Sequence, residues 1–451
     1  MSMTLFLILL FSLTTFYFIV GLFASRKVST VEDYFLASRS VGVFALTFTL
    51  VATQLGSGLI LGTAARAYSI GLWGILYTLG ISIGFLLLGF GFAAKLQSLN
   101  ISTTAEIFET HYHSPRLKLF ASMISIVSLW GILIAQIIAS HQLFISIGVL
   151  DVNWLIGFWI MLVVYTMLGG LRSIIMVNAV QVIFILTVFI IVFANSWTSN
   201  GMGTLTIPLL VKMQGYYFSK KYVLATLLPV VFSSALYSLI EQDLAQKFFA
   251  AKTKATATIA AFLATIIVTL FACIPLSFGI VAKIKNIPMA PGVNPLLSII
   301  EKTNSELMYV LVVCALIAAI ASTADSLLCA ISSNISQDFS KYFPRQKLYA
   351  SKCITLMTGI LALVVSFFIT QDIIAILEQS YRLSIGCIFV PTVLAYFTKN
   401  VKQGGAVAAI ACGAISFVGV HLFLPHSIWQ DIIPLGLSLL GYVIGAILSE
   451  K

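Results

Sequence analysis

The chain has 451 residues, of which 60% are hydrophobic and 9% are charged, and its mean hydropathy is +1.07. A protein of this length that folds in water needs a larger charged fraction to cover its surface, so the composition excludes a soluble protein and indicates a membrane protein. The net charge of +10 does not indicate a nucleic-acid partner, because the basic residues sort by the predicted side of the membrane.

Long apolar segments follow one another along the whole chain. A transmembrane helix needs about 20 apolar residues, which predicts an all-α polytopic membrane protein with about thirteen transmembrane helices and no soluble domain. The predicted spans are 3–24, 42–66, 70–92, 119–147, 153–169, 173–196, 223–240, 256–282, 307–332, 353–371, 373–397, 405–424 and 430–449. The first span is too long and unbroken for a signal peptide, so we expect a retained helix.

The basic residues predict how the chain is oriented. If the N-terminus lies outside, most of the 25 basic residues fall in loops on the cytoplasmic side, as the positive-inside rule requires. After thirteen spans the C-terminus is then cytoplasmic. We therefore expect a multi-pass protein of the plasma membrane, in bacteria the inner membrane.

Two of the predicted spans contain interruptions. Residues 53–62 read T-Q-L-G-S-G-L-I-L-G, and the seventh span contains Pro229, followed by Ser233 and Ser234. Glycine weakens a helix, and proline removes one of its hydrogen bonds. Broken helices at matching positions of two five-helix halves are typical of an inverted repeat with a binding site at the midplane. The alternative is that these residues only aid helix packing, for which glycine and proline are common in membranes.

A hydroxyl pair, Ser322 and Thr323, lies within the apolar span 307–332, two residues before Asp325. Lipid offers such groups no hydrogen-bond partner, so an intramembrane polar cluster is a candidate functional site. The two hydroxyls, with the carbonyls of Ala319 in the same helix and of Ala52 and Leu55 at the first interruption, predict a sodium site. The alternative is that both hydroxyls bond back to carbonyls of their own helix. Asp325 is open to three roles: binding the cation, pairing with a lysine, or carrying a proton.

Six motifs, in order from residue 32 to about residue 340, carry a family resemblance. They read E-D-Y-F-L-A-S-R-S, A-T-Q-L-G-S-G-L-I-L-G, T-T-A-E-I-F-E-T-H-Y, G-G-L-R-S-I-I-M-V-N-A-V-Q, E-Q-D-L-A-Q-K-F-F-A-A-K-T, and S-T-A-D-S-L-L followed by I-S-S-N-I-S-Q-D-F. Together they resemble the sodium:solute symporter family, which includes sodium/proline, sodium/pantothenate and sodium/sugar cotransporters.

The resemblance implies a LeuT-like five-plus-five inverted repeat within a single transporter domain. The repeats would span 42–196 and 223–397, with one extra helix before them (3–24) and two after (405–449). The resemblance also implies sodium as the coupling ion, at the site of Ala52, Leu55, Ala319, Ser322 and Thr323.

One departure from the family pattern concerns the ion route. The family usually has Thr-Asp where this chain has Val177 and Asn178, while the following Gln181 is retained. Asparagine keeps the oxygen and loses the charge, which favours one sodium per cycle. We therefore expect Asn178, Gln181 and Asp325 along the ion route, with a helix–helix hydrogen bond as the alternative for Asn178.

The substrate is expected at the midplane, between the broken helices. The candidate residues are polar or small and fall on the predicted broken spans and their neighbours: Gln54, Ser57, Gly58, Gln136, His141, Ser233, Ser234, Tyr237, Gln379 and Tyr381. His141 alone in an apolar stretch is more often a packing group, and Glu378 with Arg382 is more often a structural ion pair. Lys247 is expected at the cytoplasmic face, as an anchor or part of an inner gate.

No nucleophile–base–acid set, phosphate-binding loop or metal-ligand cluster is found in the sequence, so we do not expect an enzyme. The predicted function is sodium-coupled import of a small organic solute by alternating access. With no charged residue expected in the pocket, the solute would be neutral or zwitterionic, such as the amino acid proline. A proton-coupled symporter, a non-transporting sensor and a channel remain alternatives. The expected partners are the solute, sodium and the lipid bilayer, and the sequence leaves the oligomeric state open.

Overall fold

The computed structural model describes residues 2–26, 28–199, 220–287, 293–341, 348–369, 373–398, 400–424 and 429–449. Their regular structure is helical, apart from one isolated parallel β-bridge between Val41 and Ala251. In this bridge the Val41 amide donates to the Ala250 carbonyl (3.1 Å), and the Lys252 amide donates to the Val41 carbonyl (2.9 Å).

Long apolar helices are connected by short helices and turns. They are α1 (Met3–Ser25), α2 (Val31–Leu36), α3 (Val43–Gln54), α4 (Thr63–Ile70), α5 (Leu76–Leu87), α6 (Ala93–Ser98), α7 (Glu106–Thr110), α8 (Pro115–Ser146), α9 (Val152–Ser199), α10 (Lys220–Tyr237), α11 (Gln242–Phe249), α12 (Lys254–Ile284), α13 (Pro295–Thr303), α14 (Glu306–Ser333), α15 (Leu348–Ser366), α16 (Ile373–Ser384), α17 (Val390–Phe397), α18 (Gln403–Phe423) and α19 (Trp429–Leu448).

The described residues contain ten helical stretches long and apolar enough to cross a bilayer, so the predicted count of thirteen is not confirmed. One reason is that the predicted spans 153–169 and 173–196 both lie in α9, where Gly170 (φ 57°) marks a kink. A side chain at Gly170 would approach Tyr34 to 2.5 Å, so this close turn requires glycine.

The predicted interruption of the second span is present. Helix α3 ends at Gln54, and the chain resumes helical form in a wide turn, Gly58–Gly62, that leads into α4. Because α3 stops here, its last carbonyls face away from any further turn of their own helix and are available to other partners.

The second interruption lies further along the chain than predicted. Helix α10 continues through Pro229 and through Ser233 and Ser234, and ends only at Tyr237. The serine hydroxyls bond back to the Val230 carbonyl within the same helix, so they mark no break. The chain turns over residues 238–241 and starts α11 at Gln242.

Helix α14 lies at the centre of the bundle, packed against α3, α8, α9 and α15. Nearly all of its side chains from Tyr309 onward are buried. The short helix α11 is buried along its whole length, in contact with α3 and α14. The two interrupted helices therefore meet the central helix where the predicted sites lie.

Candidate functional site

The hydroxyl pair of α14 faces the broken end of α3. Ser322 Oγ donates to the carbonyls of Ala319 (2.9 Å) and Ala52 (3.2 Å). Thr323 Oγ1 donates to the carbonyls of Ala319 (3.1 Å) and Thr53 (3.1 Å), and both hydroxyl residues are buried. The predicted contact across helices and the alternative contact within α14 are thus both present, and they converge on one group of oxygens.

Four of the five predicted sodium ligands come together in this group. Leu55, the fifth, is buried and directly follows α3, but no hydrogen bond joins it to the hydroxyl pair among the described residues. Gly56 comes next and packs closely, since a Cβ there would lie 2.7 Å from Thr323 Oγ1. The oxygens lie between two helices, at a break, where neutral carbonyls and hydroxyls can coordinate a small cation.

Gln136 on α8 supports the broken helix. Its Oε1 accepts the Ser57 amide at 3.2 Å, so it satisfies a backbone donor that the interruption leaves free. A Cβ at Gly56 would also lie 3.2 Å from this oxygen. Gln136 was predicted as a substrate contact, and in the structure it bonds to the backbone between the sodium-site group and the second half of the helix.

The predicted ion-route residues lie on α9 and α14, and one of them contacts the turn of α14 that follows the hydroxyl pair. Asn178 donates to Thr49 Oγ1 and to Ser326 Oγ, both at 3.2 Å, which is the predicted alternative of a helix–helix hydrogen bond. Its Oδ1 is buried without a hydrogen-bond partner among the described residues, as is Oε1 of Gln181. Asp325 contacts Ser326 Oγ at 3.5 Å through Oδ1, whereas its Oδ2 has no partner there.

The sequence predicts Lys247 at the cytoplasmic face, but in the structure this lysine is buried. Its side chain is only 1% exposed. The ammonium donates to Thr53 Oγ1 on α3 and pairs with Asp243 at 3.4 Å. The expectation failed because α11 looks like a charged cytoplasmic helix by composition, yet packing buries all of it. The signal for a pair was the spacing of Asp243 and Lys247, four residues apart.

The second break brings a further carboxylate, Glu241, to the end of α3. Glu241 directly precedes α11 and is 6% exposed, and its backbone amide donates to the Tyr237 carbonyl at 2.9 Å. Glu241 is not among the site residues predicted from the sequence. Its position in the motif E-Q-D-L-A-Q-K was the only indication in the sequence. The predicted break, at Pro229 to Ser234, lies before the observed turn at 238–241.

Three tyrosines from three helices contact one another near this break. The Tyr77 and Tyr381 hydroxyls are 2.8 Å apart, and the Tyr237 ring stacks on that of Tyr381 with centroids 4.4 Å apart. Gly58 is their neighbour, since a Cβ there would lie 3.2 Å from the Tyr77 hydroxyl. The predicted candidates Gly58, Tyr237 and Tyr381 are thus brought together, and the prediction did not include Tyr77.

Other predicted substrate candidates have different surroundings. Ser234 packs on α5, bonding to the carbonyls of Val230 (2.6 Å) and Tyr77 (3.4 Å), and Ser233 bonds within its own helix. His141 and Gln379 are half-buried. Ser57 Oγ is buried and has no hydrogen-bond partner among the described residues.

Different polar contacts connect the helices at the two ends of the bundle. At the basic end, defined by Arg39, Lys118 and residues 99–114, Asp338 accepts hydrogen bonds from Thr103 (2.6 Å) and Ser122 (2.7 Å). Lys118 bridges to Glu109 at 2.8 Å, and this bond holds the pKa of the Glu109 carboxyl below its ordinary value.

At the opposite end, Arg66 pairs with Glu378 beside a cavity of about 430 Å³. Glu378 and Arg382 form the predicted ion pair (3.7 Å), and Arg382 continues to Asp431 (2.9 Å). The chain of charges therefore connects α4, α16 and α19 at this end.

Comparison with known proteins adds the family context. The family model described as the sodium:solute symporter family matches residues 34–413. A sodium/pantothenate symporter of Escherichia coli (strain K12) is 32% identical over 213 residues, 44% of each chain, so the match spans less than half of that relative. A sodium/sialic acid symporter, NanT, of Aliivibrio fischeri is 23% identical over 380 residues, 78% of this chain and 74% of the relative.

The same architecture is present in solved structures. A sodium-coupled sialic acid symporter in a substrate-bound outward-open state superposes with a TM-score of 0.83 over 98% of each chain, at 17% identity. At that identity the likeness concerns the fold, which is that of the LeuT-like transporters.

Proposed function

Because the chain belongs to the sodium:solute symporter family, with sodium as its coupling ion, we propose that it imports a small organic solute by sodium-driven alternating access. Sodium would bind at Ala52, Leu55, Ala319, Ser322 and Thr323. The observation that carries the proposal is the hydroxyl pair of α14 bonded across to the last carbonyls of α3.

Sodium at this position would act as a clamp between two helices. The hydroxyl hydrogens now point at carbonyls, and coordination would instead turn the oxygen lone pairs of Ser322 and Thr323 toward the ion. The ion would hold α3 against α14 and fix Gln54, two residues beyond Ala52, at the substrate pocket. Any preference of sodium for this arrangement raises solute affinity by the same factor that solute raises sodium affinity.

We further propose how the chain is arranged in the membrane during this transport. Two inverted repeats, 42–196 and 223–397, follow one extra helix and precede two others. The N-terminus would lie outside and the C-terminus in the cytoplasm, with the basic end facing inward. The solute would be of amino-acid size, with proline as an example, bound between the α3 break and the turn at 238–241.

A second candidate is proton coupling through Asp325. The observation that favours it is the buried Oδ2 of that carboxylate, which has no hydrogen-bond partner among the described residues. Uptake that is driven by a pH gradient without sodium in the wild-type protein, and that is lost in Asp325→Asn, would favour this candidate. A sodium response that survives Asp325→Asn would favour the hydroxyl site alone.

The deciding experiment measures binding of radioactive sodium by the purified protein in a scintillation proximity assay. Ser322→Ala with Thr323→Ala should weaken sodium binding by at least about tenfold, because each substitution removes an oxygen ligand and about 1.4 kcal/mol is a factor of ten. The matched control is Thr265→Ala with Thr269→Ala on α12, whose hydroxyls bond only to carbonyls of their own helix in the described structure. Equal sodium affinity in the site variant and the control would overturn the assignment.

A further inference from the structure

Two adjoining cavities lie between α1 and α9. The wide cavity, of about 480 Å³, extends from Met3 on α1 to the segment that precedes α9. The narrow cavity, of about 60 Å³, is lined by residues of α1 and α9 and reaches α14. Leu10, Thr14, Phe158 and Met161 line both cavities, so together the two form one space, the α1–α9 cleft.

The α1–α9 cleft opens on the apolar surface of the bundle. Phe11, Trp154 and Met161 line it and are exposed. They belong to two helices that are long and apolar enough to cross a bilayer, so large exposed apolar side chains on these helices face lipid. A ligand of this cleft would therefore come from the membrane and not from water.

Three side chains in the wall of the narrow cavity carry a buried oxygen atom that has no hydrogen-bond partner among the described residues. These atoms are the hydroxyls of Tyr17 and Tyr165 and Oε1 of Gln181. Tyr17 is 8% exposed and Gln181 is 3% exposed. A buried polar group without a partner costs free energy, and such groups are rare in folded proteins. Three of them around one cavity therefore favour a ligand that brings polar atoms of its own.

The three oxygen atoms indicate the chemistry of that ligand. A tyrosine hydroxyl both donates and accepts, whereas the amide oxygen of Gln181 only accepts, so the ligand needs an O–H or N–H group. The described wall of the narrow cavity contains no Asp, Glu, Lys or Arg, and a charged group would be buried there without a counter-charge. The polar end of the ligand is therefore uncharged.

The rest of the cleft sets the shape of the ligand. From Met3 to Tyr17 it follows α1 for about 20 Å, at a rise of about 1.5 Å per residue. Its wall along this path consists mainly of aliphatic and aromatic side chains. A long apolar chain fits such a path, because apolar surface is stabilised against apolar surface.

We propose that the α1–α9 cleft binds an uncharged, single-chain amphiphile from the membrane, whose terminal hydroxyl forms hydrogen bonds with Tyr17, Tyr165 and Gln181. The apolar chain of this ligand lies along α1 in the wide cavity. The site is separate from the proposed sodium and solute sites, and its existence does not depend on the proposed transport function.

The position of the cleft brings this ligand close to the proposed sodium site. Ala318 and Ala321 of α14 line the narrow cavity, and each directly precedes a residue of the proposed sodium site, Ala319 or Ser322. The ligand would thus contact the face of α14 that lies beside the sodium-site face.

The test is photolabelling of the purified full-length protein. The probe is a long-chain alcohol that carries a photoactivatable diazirine in its chain, and its matched control is the methyl ether of the same compound, which cannot donate a hydrogen bond. Mass spectrometry of the peptides locates the label. We expect saturable labelling of α1 and α9 by the alcohol, suppressed by an excess of dodecanol. The ether should bind at least about fivefold more weakly, because it leaves Gln181 without a donor.

Two variants test the assignment of the residues. Tyr17→Phe with Tyr165→Phe keeps both rings and removes two hydroxyls, so the alcohol should bind at least about fivefold more weakly. Tyr349→Phe, at an exposed tyrosine of α15, is the control. Leu13→Trp fills the narrow cavity and should abolish saturable labelling. Its control is Ile19→Trp, at an exposed residue of α1 that is not in the wall of either cavity.

Three results would overturn the proposal. One is labelling by the alcohol that is spread evenly over the lipid-facing helices. Another is equal labelling by the alcohol and the ether, which would mean that lipid chains fill the cleft without a polar contact. The third is unchanged binding of the alcohol in the tyrosine double variant. That variant changes no ring, so it gives an independent answer if Leu13→Trp does not fold.

Discussion

Lys247 is the side chain whose burial the sequence hides most completely. A lysine near the start of a basic loop is ordinarily solvated, yet this one ties α11 to α3 through Thr53 and pairs with Asp243 within α11. Asp325 is near enough to interact with the same ammonium. The lysine is thus the fixed positive charge among three buried acids of the described core: Glu241, Asp243 and Asp325.

Removal of that charge should be costly. Lys247→Met should lower the free energy of unfolding by about 3–5 kcal/mol, because it leaves Asp243 buried without its partner. Unfolding in a titration with sodium dodecyl sulfate measures the change. Lys254→Met, at an exposed lysine of α12, should have little effect. Adding Asp243→Asn to Lys247→Met should restore part of the loss, and a purely additive double variant would contradict the pairing.

Asn178 offers a test of the number of ions. Asn178→Asp places a carboxylate beside Ser326 and Thr49, the hydroxyls that now accept from the asparagine amide. Those hydroxyls can reverse and donate, so we expect the carboxylate to be accommodated and to attract a second cation. The Hill slope of sodium binding should rise, or the half-saturating sodium concentration should fall. Asn195→Asp, away from the site, serves as the control, and an unaltered sodium isotherm in Asn178→Asp would count against the idea.

At the scale of the elements, the break in α3 depends on close approach to α14. Gly56→Ala would place a methyl group 2.7 Å from Thr323 Oγ1, which forces the two helices apart. Overpacking of this kind costs about 1–3 kcal/mol, so sodium affinity should fall by roughly tenfold or more. Gly157→Ala on α9, where nothing lies within 4 Å of the new methyl, is the control. Sodium binding that is equally strong in both variants would show that the contact does not define the site.

The two breaks show what local sequence can and cannot predict. The first was predictable because three glycines and several polar residues interrupt one apolar span. The second falls at S-L-I-E, residues 238–241, which contains neither glycine nor proline. Pro229 drew the prediction to the wrong place, although a helix can continue through a proline when only one hydrogen bond is lost.

The proposed sodium site could be predicted from the sequence, whereas the proposed substrate pocket could be predicted only in part. Ser322, Thr323 and Ala319 are neighbours in one helix, and a single recognisable break supplies Ala52. Tyr77, Tyr237 and Tyr381 are brought together from three distant elements, and no periodicity links them. Burial of α11, which decides the setting of Glu241 and Lys247, is a property of packing rather than of its own composition.

At the scale of the whole molecule, hydrogen bonds and ion pairs connect the helices at both ends of the bundle. The contacts of Asp338 at the basic end can be tested directly. Asp338→Ala removes the acceptor of Thr103 and Ser122 and frees the 99–114 segment from the end of α14. We expect this end to open more often. A cysteine placed at Ser102, in a Cys273→Ser background, should then react several-fold faster with a maleimide, and sodium should slow the reaction. Asp151→Ala, at an exposed site, is the control; identical labelling rates in both variants would contradict a closing role for Asp338.

The small β-bridge at Val41 and Ala251 has a mechanical consequence. It joins the segment just before α3 to the segment just after α11, two helices that are far apart in sequence. The break follows α3 and precedes α11. A displacement of α3 is therefore transmitted to α11 through two backbone hydrogen bonds. An ion bound between α3 and α14 would then affect the position of α11 as well, although it does not contact α11. The movements of α3 and α11 would then be coupled by two hydrogen bonds that involve no side chain, so few substitutions can remove this coupling.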